Sequence, residues 1–251
     1  MTRAKKSFGQ HWLVNQGVAD RIVDAAELGP DSTVLEVGPG TGVLTGRLAE
    51  RAGKVVAVEK DRSLVPELRE KFTEKGNVTV VEGDILEIRP ADAGITGPYI
   101  VVANLPYYIT SHFLRVLLTA WPPPGRAIIM IQKEVARRMA AAPPDMNMLA
   151  LSVQAYADAS RVMDVAPGSF NPPPDVESSV VIIRPRMVSA EERAGTERAL
   201  AVAKRAFAHK RKKITSSVAP ETLSACSISP SARPQELTVA DWMCLSRHTE
   251  G

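Results

Sequence analysis

An α/β fold built on a mainly parallel sheet and followed by a small helical region is predicted by three features of the chain. Short apolar β-rich runs recur as far as Arg186, helical patterns separate most of them, and the composition changes after that residue. Strands this apolar, spaced by helices, belong to a sheet covered on both faces.

The runs come in the order TVLEV (33–37), KVVAVE (54–59), VTVVEGD (78–84), YIVVANL (99–105) and RAIIMIQ (126–132). Between them, segments such as GVLTGRLAERA and SLVPELREKFTEK space their apolar residues as helices packed on a sheet do. Two further runs, SRVMDVA (160–166) and SSVVIIRPR (178–186), have no long helix between them and are expected to pair antiparallel at the sheet edge, giving seven strands.

Beyond Arg186, SAEERAGTERALAVAKRAFAHKRKK is Ala-rich and helical, and VAPETLSACSISPSARPQEL is broken by prolines. TVADWMCLSRH opens with Thr238 three residues before Asp241, the spacing of a capping box. A helical appendage of this size leans on its neighbour for stability.

No apolar run of the 251-residue chain reaches the roughly 18 residues of a membrane helix, and the basic start has no apolar core of a signal peptide after it. A cytoplasmic protein is expected. Cys226 and Cys244 are too far apart for a CxxC site, and His11, His112, His209 and His248 are scattered, so neither a disulfide nor a metal is indicated. Net charge is only +3, but its distribution is uneven. Arg198, Lys204, Arg205, Lys210, Arg211, Lys212 and Lys213 occur without an acid among them, and Arg3, Lys5 and Lys6 stand unopposed near the start. Such local basic patches are a footprint of polyanion binding, although a solvated helix face has the same composition.

Four strand ends carry candidate site residues. The first strand runs into EVGPGTG, with Gly38, Gly40 and Gly42, a turn that lets a ligand approach the backbone. Val43 stands where the dinucleotide fingerprint has its third glycine, which argues against a nicotinamide enzyme. Glu59 ends the second strand, where a carboxylate accepts ribose hydroxyls. Gly83-Asp84 ends the third, where Asp can accept from an adenine amino group. Asn104 ends the fourth, within ANLPYYIT. In an open parallel sheet all four ends meet the same crevice.

This order of Gly-rich loop, ribose acid, Gly-Asp and Asn-Leu-Pro-Tyr resembles the class I methyltransferases that use S-adenosylmethionine, a Rossmann-like family. Taken together, KSFGQHWL, EVGPGTGVLT, VEGDIL, NLPYYIT, QKEVARRM and FNPPPDVESSVV resemble the ribosomal RNA adenine dimethyltransferases, especially those acting on the small subunit. The likeness runs through essentially the whole chain. It implies a catalytic domain over 1–186 and a small helical RNA-recognition domain over 187–251; the charge pattern makes Arg198, Lys204, Arg205, Lys210, Arg211 and Lys212 its candidate RNA contacts, although HKRKK matches the family's arginine-rich stretch only loosely.

The resemblance also implies roles for individual residues. His11, Leu13, Gly38, Gly40, Glu59, Asp84 and Asn104 would hold S-adenosylmethionine. Asn104, Leu105, Pro106, Tyr107 and Phe170 would serve catalysis. An adenine amine is a poor nucleophile because its lone pair is delocalised into the ring. Acceptors at both its hydrogens, the Asn104 side-chain oxygen and the carbonyl preceding or at Pro106, favour a pyramidal nitrogen with its lone pair aimed at the methyl. Proline supports that geometry by its fixed dihedral and missing N–H. Tyr107 gives the extruded base a face to stack on, with Phe170 opposite.

The expected reaction is dimethylation of two adjacent adenosines in the 3′-terminal hairpin of 16S rRNA, on the RNA or an immature 30S particle, by a monomer that needs no metal and no membrane. A macrolide-resistance 23S rRNA methyltransferase and a catalytically inactive rRNA-binding assembly factor are the alternatives. The sequence departs from the family where His11 and Trp12 replace the usual Asn and Phe, and where MNMLALSVQ lacks the common aromatic-Gly pair.

Overall fold

The computed structural model describes residue 5 and residues 9–248. Arg3 and Lys6, and the first three residues of KSFGQHWL, lie outside the described residues. Contacts divide the chain into two compact units, Met1–Ala136 with Ser160–Pro185, and Arg137–Ala159 with Arg186–Gly251.

The elements run β1 (Trp12–Leu13), α1 (Gln16–Ala25), β2 (Thr33–Val37), α2 (Val43–Ala49), β3 (Lys54–Glu59), α3 (Val65–Lys71), β4 (Val78–Glu82) and β5 (Ile100–Asn104). After these come α4 (Thr110–Thr119), β6 (Arg126–Gln132), α5 (Lys133–Met139), α6 (Met148–Gln154), β7 (Ala157–Val165), β8 (Phe170–Asn171) and β9 (Ser178–Pro185). The chain ends with α7 (Ala190–Phe207), α8 (Pro220–Ala225) and α9 (Val239–His248).

The main sheet has seven strands in the order β4-β3-β2-β5-β6-β9-β7. β4, β3, β2, β5 and β6 are parallel neighbours, and β9 runs antiparallel to β6. The mainly parallel sheet read from the sequence is therefore present, and β7 and β9 stand side by side at its edge. Val34, Leu35, Val55, Val56, Val58, Val101, Val102, Ile128 and Ile129 are buried, as strands covered on both faces require.

From β2 the chain moves outward to β3 and β4, then returns to place β5 on the other side of β2. That reversal opens a crevice beyond the carboxyl ends of β2 and β5. The register aligns Val37 with Val58 and Ala103, and Glu59 with Glu82, so the strand-end residues sit at one level.

In the second unit, α7 opens with a capping box in which Glu192 N–H donates to Ser189 and Ser189 N–H donates to Glu192. Its core joins Ala199, Val202, Ala203, Ala206, Ile214, Leu223, Trp242 and Leu245. Met146, Ala150 and Leu151 are buried in that same cluster, which is why residues 137–159 group with the C-terminal helices instead of ending the unit at Arg186. The pairing of Thr238 with Asp241 at the start of α9 is present, each N–H donating to the other's side chain.

Two readings are corrected. Cys226 and Cys244 form a disulfide, with Cα atoms 5.9 Å apart, because the packing of α9 beside α8 brings together cysteines that are distant in sequence. A sequence-spacing rule is blind to that proximity. The helix of the basic segment ends at Phe207, so Lys210, Arg211 and Lys212, read as helical with the rest of that segment, lie in the following turn.

Candidate active site

The crevice of the first unit is lined by Val37, Gly38, Gly40, Val58, Glu59, Asp84, Asn104, Tyr107 and Phe170. It encloses about 860 Å³ of space, the open solvent at its mouth included. Asn104, Leu105, Pro106, Tyr107, Phe170, His11, Gly38, Gly40, Glu59 and Asp84 all border it.

The loop after β2 bends through Gly38 (φ +67°) and Gly40 (φ +58°), left-handed conformations that favour glycine. At Gly40 a Cβ would also lie 3.0 Å from the Trp12 ring. The bend delivers the Gly40 N–H to Glu59 Oε2 at 3.1 Å, while Asp61 N–H donates to Glu59 Oε1 at 2.7 Å. Burial raises the pKa of Glu59 above the ordinary carboxylate value, against the pull of these two donors. Each carboxylate oxygen keeps a further lone pair for a hydroxyl.

At the end of β4, Asp84 accepts from Leu86 N–H at 3.0 Å and from Lys60 Nζ at 2.6 Å. Burial pushes its carboxyl upward, but the Lys60 ammonium and the Leu86 N–H outweigh this and hold it below its usual value. Asp84 is thus an acceptor-only anion in the cavity wall.

Asn104 closes β5 and donates its amide N–H to the His11 carbonyl at 3.3 Å. This fixes the amide so that Oδ1 remains as an acceptor. The Pro106 carbonyl accepts from Ile109 N–H at 3.2 Å, which leaves the Leu105 carbonyl as the better second acceptor of the two that the sequence allowed. Tyr107 is anchored through its hydroxyl to Ser178 Oγ at 2.9 Å, and its ring stacks on His11 with centroids 6.0 Å apart and planes 24° apart. Burial raises the Tyr107 pKa, so the ring is neutral at physiological pH.

The N-terminal segment is tied to the loop of Phe170. β1 pairs antiparallel with β8, aligning Trp12 with Asn171 and Leu13 with Phe170. His11 Nδ1–H donates to the Pro172 carbonyl at 2.9 Å. Alternation along β1 turns Trp12 to the cavity and sends Leu13 into the hydrophobic core beside Ile22 and Phe170. Leu13 is therefore the one expected cofactor residue not brought to the cavity wall.

Several lining residues were not foreseen. Asp61 is buried and accepts from Lys5 Nζ at 2.6 Å and Gln10 Nε2 at 3.0 Å. Burial opposes its ionisation, but Lys5, Ser63 and Gln10 together hold its pKa at about 2. Lys60, Asp61, Trp12 and Tyr108 also line the crevice, and Tyr108 is 60% exposed at its mouth. Position was the available signal, since Lys60 and Asp61 directly follow the strand-end Glu59 and Tyr108 follows Tyr107. The expected RNA-contact residues Arg198, Lys204, Arg205, Lys210, Arg211 and Lys212 belong to the second unit and are all exposed.

A family model described as ribosomal RNA adenine dimethylase matches residues 1–247. Among similar curated proteins, the ribosomal RNA small subunit methyltransferase A of Dehalococcoides mccartyi is 41% identical, with 97% of this chain and 87% of the relative covered. The protein of the same description from Alkaliphilus metalliredigens is 36% identical, covering 98% and 91%. A solved dimethyladenosine transferase from Plasmodium falciparum is 26% identical with a TM-score of 0.81, covering 94% of this chain and 96% of that one. The solved 23S rRNA methyltransferase ErmE is 28% identical with a TM-score of 0.77, covering 94% and 98%.

Proposed function

This chain belongs to the ribosomal RNA adenine dimethylase family, and from that membership we propose the residue roles and the substrate that follow. It is an S-adenosylmethionine-dependent rRNA adenine dimethyltransferase of the small-subunit type. The target is a pair of adjacent adenosines in the 3′-terminal hairpin of 16S rRNA, met on the RNA or an immature 30S particle in the cytoplasm by a monomer. Among the described residues no helix is long and apolar enough to cross a membrane.

The observation that carries the residue assignment is that Asn104-Leu105-Pro106-Tyr107 shares one cavity with the Gly38–Gly40 loop, Glu59 and Asp84. These residues suit S-adenosylmethionine. Glu59, already oriented by two backbone donors, would take the ribose hydroxyls, and anionic Asp84 the adenine amino group. Gly38 and Gly40 keep the wall free of side chains, and apolar Val58 and Ile85 line the same space. When bound, the cofactor supplies an electrophilic methyl.

The chain's own contribution is positioning. Asn104 Oδ1 and the Leu105 carbonyl accept the two hydrogens of the target amine, which shapes its nitrogen for attack and disperses the positive charge that develops there. Tyr107 offers the face for the extruded base, and buried Phe170 holds its place through β8. No side-chain general base is needed, because the alkylated nitrogen becomes strongly acidic and loses its proton to water. With these groups assembled around one cavity, a purely RNA-binding role is disfavoured.

We assign substrate recognition to residues 187–251 and catalysis to residues 1–186. The test is to supply labelled cofactor with unmethylated small and large subunits and to map the label. Label on adjacent 3′-hairpin adenosines of the small subunit is the expected outcome. Label confined to the large subunit would place the chain with the macrolide-resistance type.

A further inference from the structure

The second unit carries a cluster that methyl transfer does not use. Cys226 caps α8 and Cys244 lies in α9, and the two are joined as a disulfide. His248, one helical turn beyond Cys244, places Nδ1 3.8 Å from Cys226 Sγ and 3.9 Å from Cys244 Sγ. Among the described residues this is the only group of three or more potential metal-binding or thiol side chains gathered within 4.8 Å. We propose that Cys226, Cys244 and His248 form a reversible thiol–disulfide site whose reaction partners are low-molecular-weight dithiols and disulfides.

Access is the first argument. Both cysteines are only half-buried and His248 is exposed, so a small thiolate can reach the bond. The second argument is that the fold does not depend on the link. Beneath it, Leu223, Trp242 and Leu245 are fully buried, and Thr222 Oγ1 donates to the His248 carbonyl at 3.5 Å, so α8 and α9 remain joined when the bond opens. A sequence separation of only 18 between the cysteines also gives the link a smaller entropic effect than a long-range crosslink would have.

His248 supplies the chemistry. Its Nδ1–H donates to the Cys244 carbonyl at 3.1 Å, which holds that N–H near-equidistant from both sulfurs. Whichever sulfur departs as a thiolate lies within 3.9 Å of the same ring nitrogen, whose N–H can turn to it from the carbonyl. In the reducing direction, a dithiol's thiolate attacks one sulfur and the intrachain S–S bond breaks as a mixed disulfide forms. The reductant's second thiol then resolves it. Two electrons pass to the protein, two protons move from the reductant's thiols to Cys226 and Cys244, and the reductant leaves as its own disulfide. In the other direction a small disulfide accepts the two electrons, and its two thiols carry off the protons.

The inference leans on the functional reading in one respect. A protein acting on ribosomal RNA works in a reducing compartment, where disulfides are transient and responsive instead of permanent. The test needs no methyl transfer, so its failure is separable from failure of that reading. The folded full-length chain is equilibrated in buffers of varied dithiothreitol in its reduced and oxidised forms, quenched with iodoacetamide and weighed by intact mass spectrometry. The expected result is a reversible change of two alkyl groups without denaturant, with unchanged circular dichroism, and none in Cys226→Ser. His248→Ala should slow closure and opening by about ten-fold, the size of one hydrogen bond to a charged group. A bond that opens only in denaturant, or thiols that never close, would overturn the proposal. So would stoichiometric zinc uptake by the reduced chain that is lost in Cys226→Ser, Cys244→Ser and His248→Ala alike, which would make the cluster a metal site.

Discussion

The side-chain amide of Asn104 donates to the main-chain carbonyl of His11 at 3.3 Å, so the last residue of β5 is oriented by the segment that enters β1. That same segment is held in place from two sides. His11 donates to the Pro172 carbonyl, and Asp61 takes both Lys5 and Gln10. Asn104 is thus preset with its oxygen available before any substrate arrives, and reorganisation at the moment of reaction is avoided.

On the proposed role, Asn104→Ala removes an interaction that strengthens only in the transition state. Turnover should fall roughly 100-fold or more, with RNA affinity changed far less. Single-turnover kinetics alongside RNA titration separate the two effects. Near-wild-type turnover in the variant would refute the assigned role.

Glu59 leads to a prediction about the cofactor. Among the described residues, both its oxygens are oriented by backbone donors of the cavity wall, and its replacement by Ala should weaken S-adenosylmethionine binding by about 1.5 to 3 kcal/mol. Calorimetry measures this directly, and an unchanged affinity would move the ribose contact to another residue.

Much of this arrangement was legible in the sequence, for a physical reason. Buried parallel strands must be apolar throughout, so β2, β3, β5 and β6 are visible as runs, and residues at their carboxyl ends must converge. Glu59, Asp84 and Asn104 are legible on that basis alone. What stayed hidden depends on tertiary contact. Leu13, expected at the cofactor, turns into the core and Trp12 lines the cavity in its place, because successive residues of β1 face opposite ways and nothing local says which one faces the cavity. Asp61 resembles an ordinary turn acid until Lys5, 56 residues earlier in the chain, is seen against it. The Cys226–Cys244 bond is set by the packing of α8 on α9, which no spacing rule reports.

Glu36 lies one residue before the end of β2 and is buried. Burial, reinforced by the nearby Glu59 charge and only partly opposed by Thr45, pushes its pKa from 4.5 up to about 8. In that interval the folded state keeps a proton that the unfolded state has lost, so stability is full below the lower value and declines as pH rises through the upper one. Each pH unit crossed within the interval costs about 1.4 kcal/mol. Glu36→Gln mimics the protonated form. Its Tm should match the parent near the acid end of the interval and exceed it increasingly toward pH values above the upper one, by an amount worth several kcal/mol on the order implied by that slope. Thermal melts of both proteins across this range provide the check, and a constant Tm difference would show that Glu36 does not change its charge on unfolding.

The last prediction concerns the exposed basic residues of the second unit. Arg198 and Arg205 lie seven residues apart on α7 and therefore share one face, while Ala203 is buried and Leu200 and Phe207 pack into the core cluster. Lys212 follows in the turn after the helix. Contacts from such side chains to RNA phosphates position a substrate without reading its sequence. Each one lost should lower the slope of log affinity against log salt by roughly 0.7 to 0.9, according to whether the RNA is single-stranded or duplex. Changing Arg198, Arg205 and Lys212 together to Gln should flatten the salt dependence by about two units and weaken different RNAs equally. Binding of S-adenosylmethionine should be unaffected, because every residue lining its cavity belongs to the first unit. Filter binding over a salt series, with cofactor titration in parallel, distinguishes the outcomes. An unchanged slope would mean that these cations form a solvated face and that the phosphate contacts lie elsewhere.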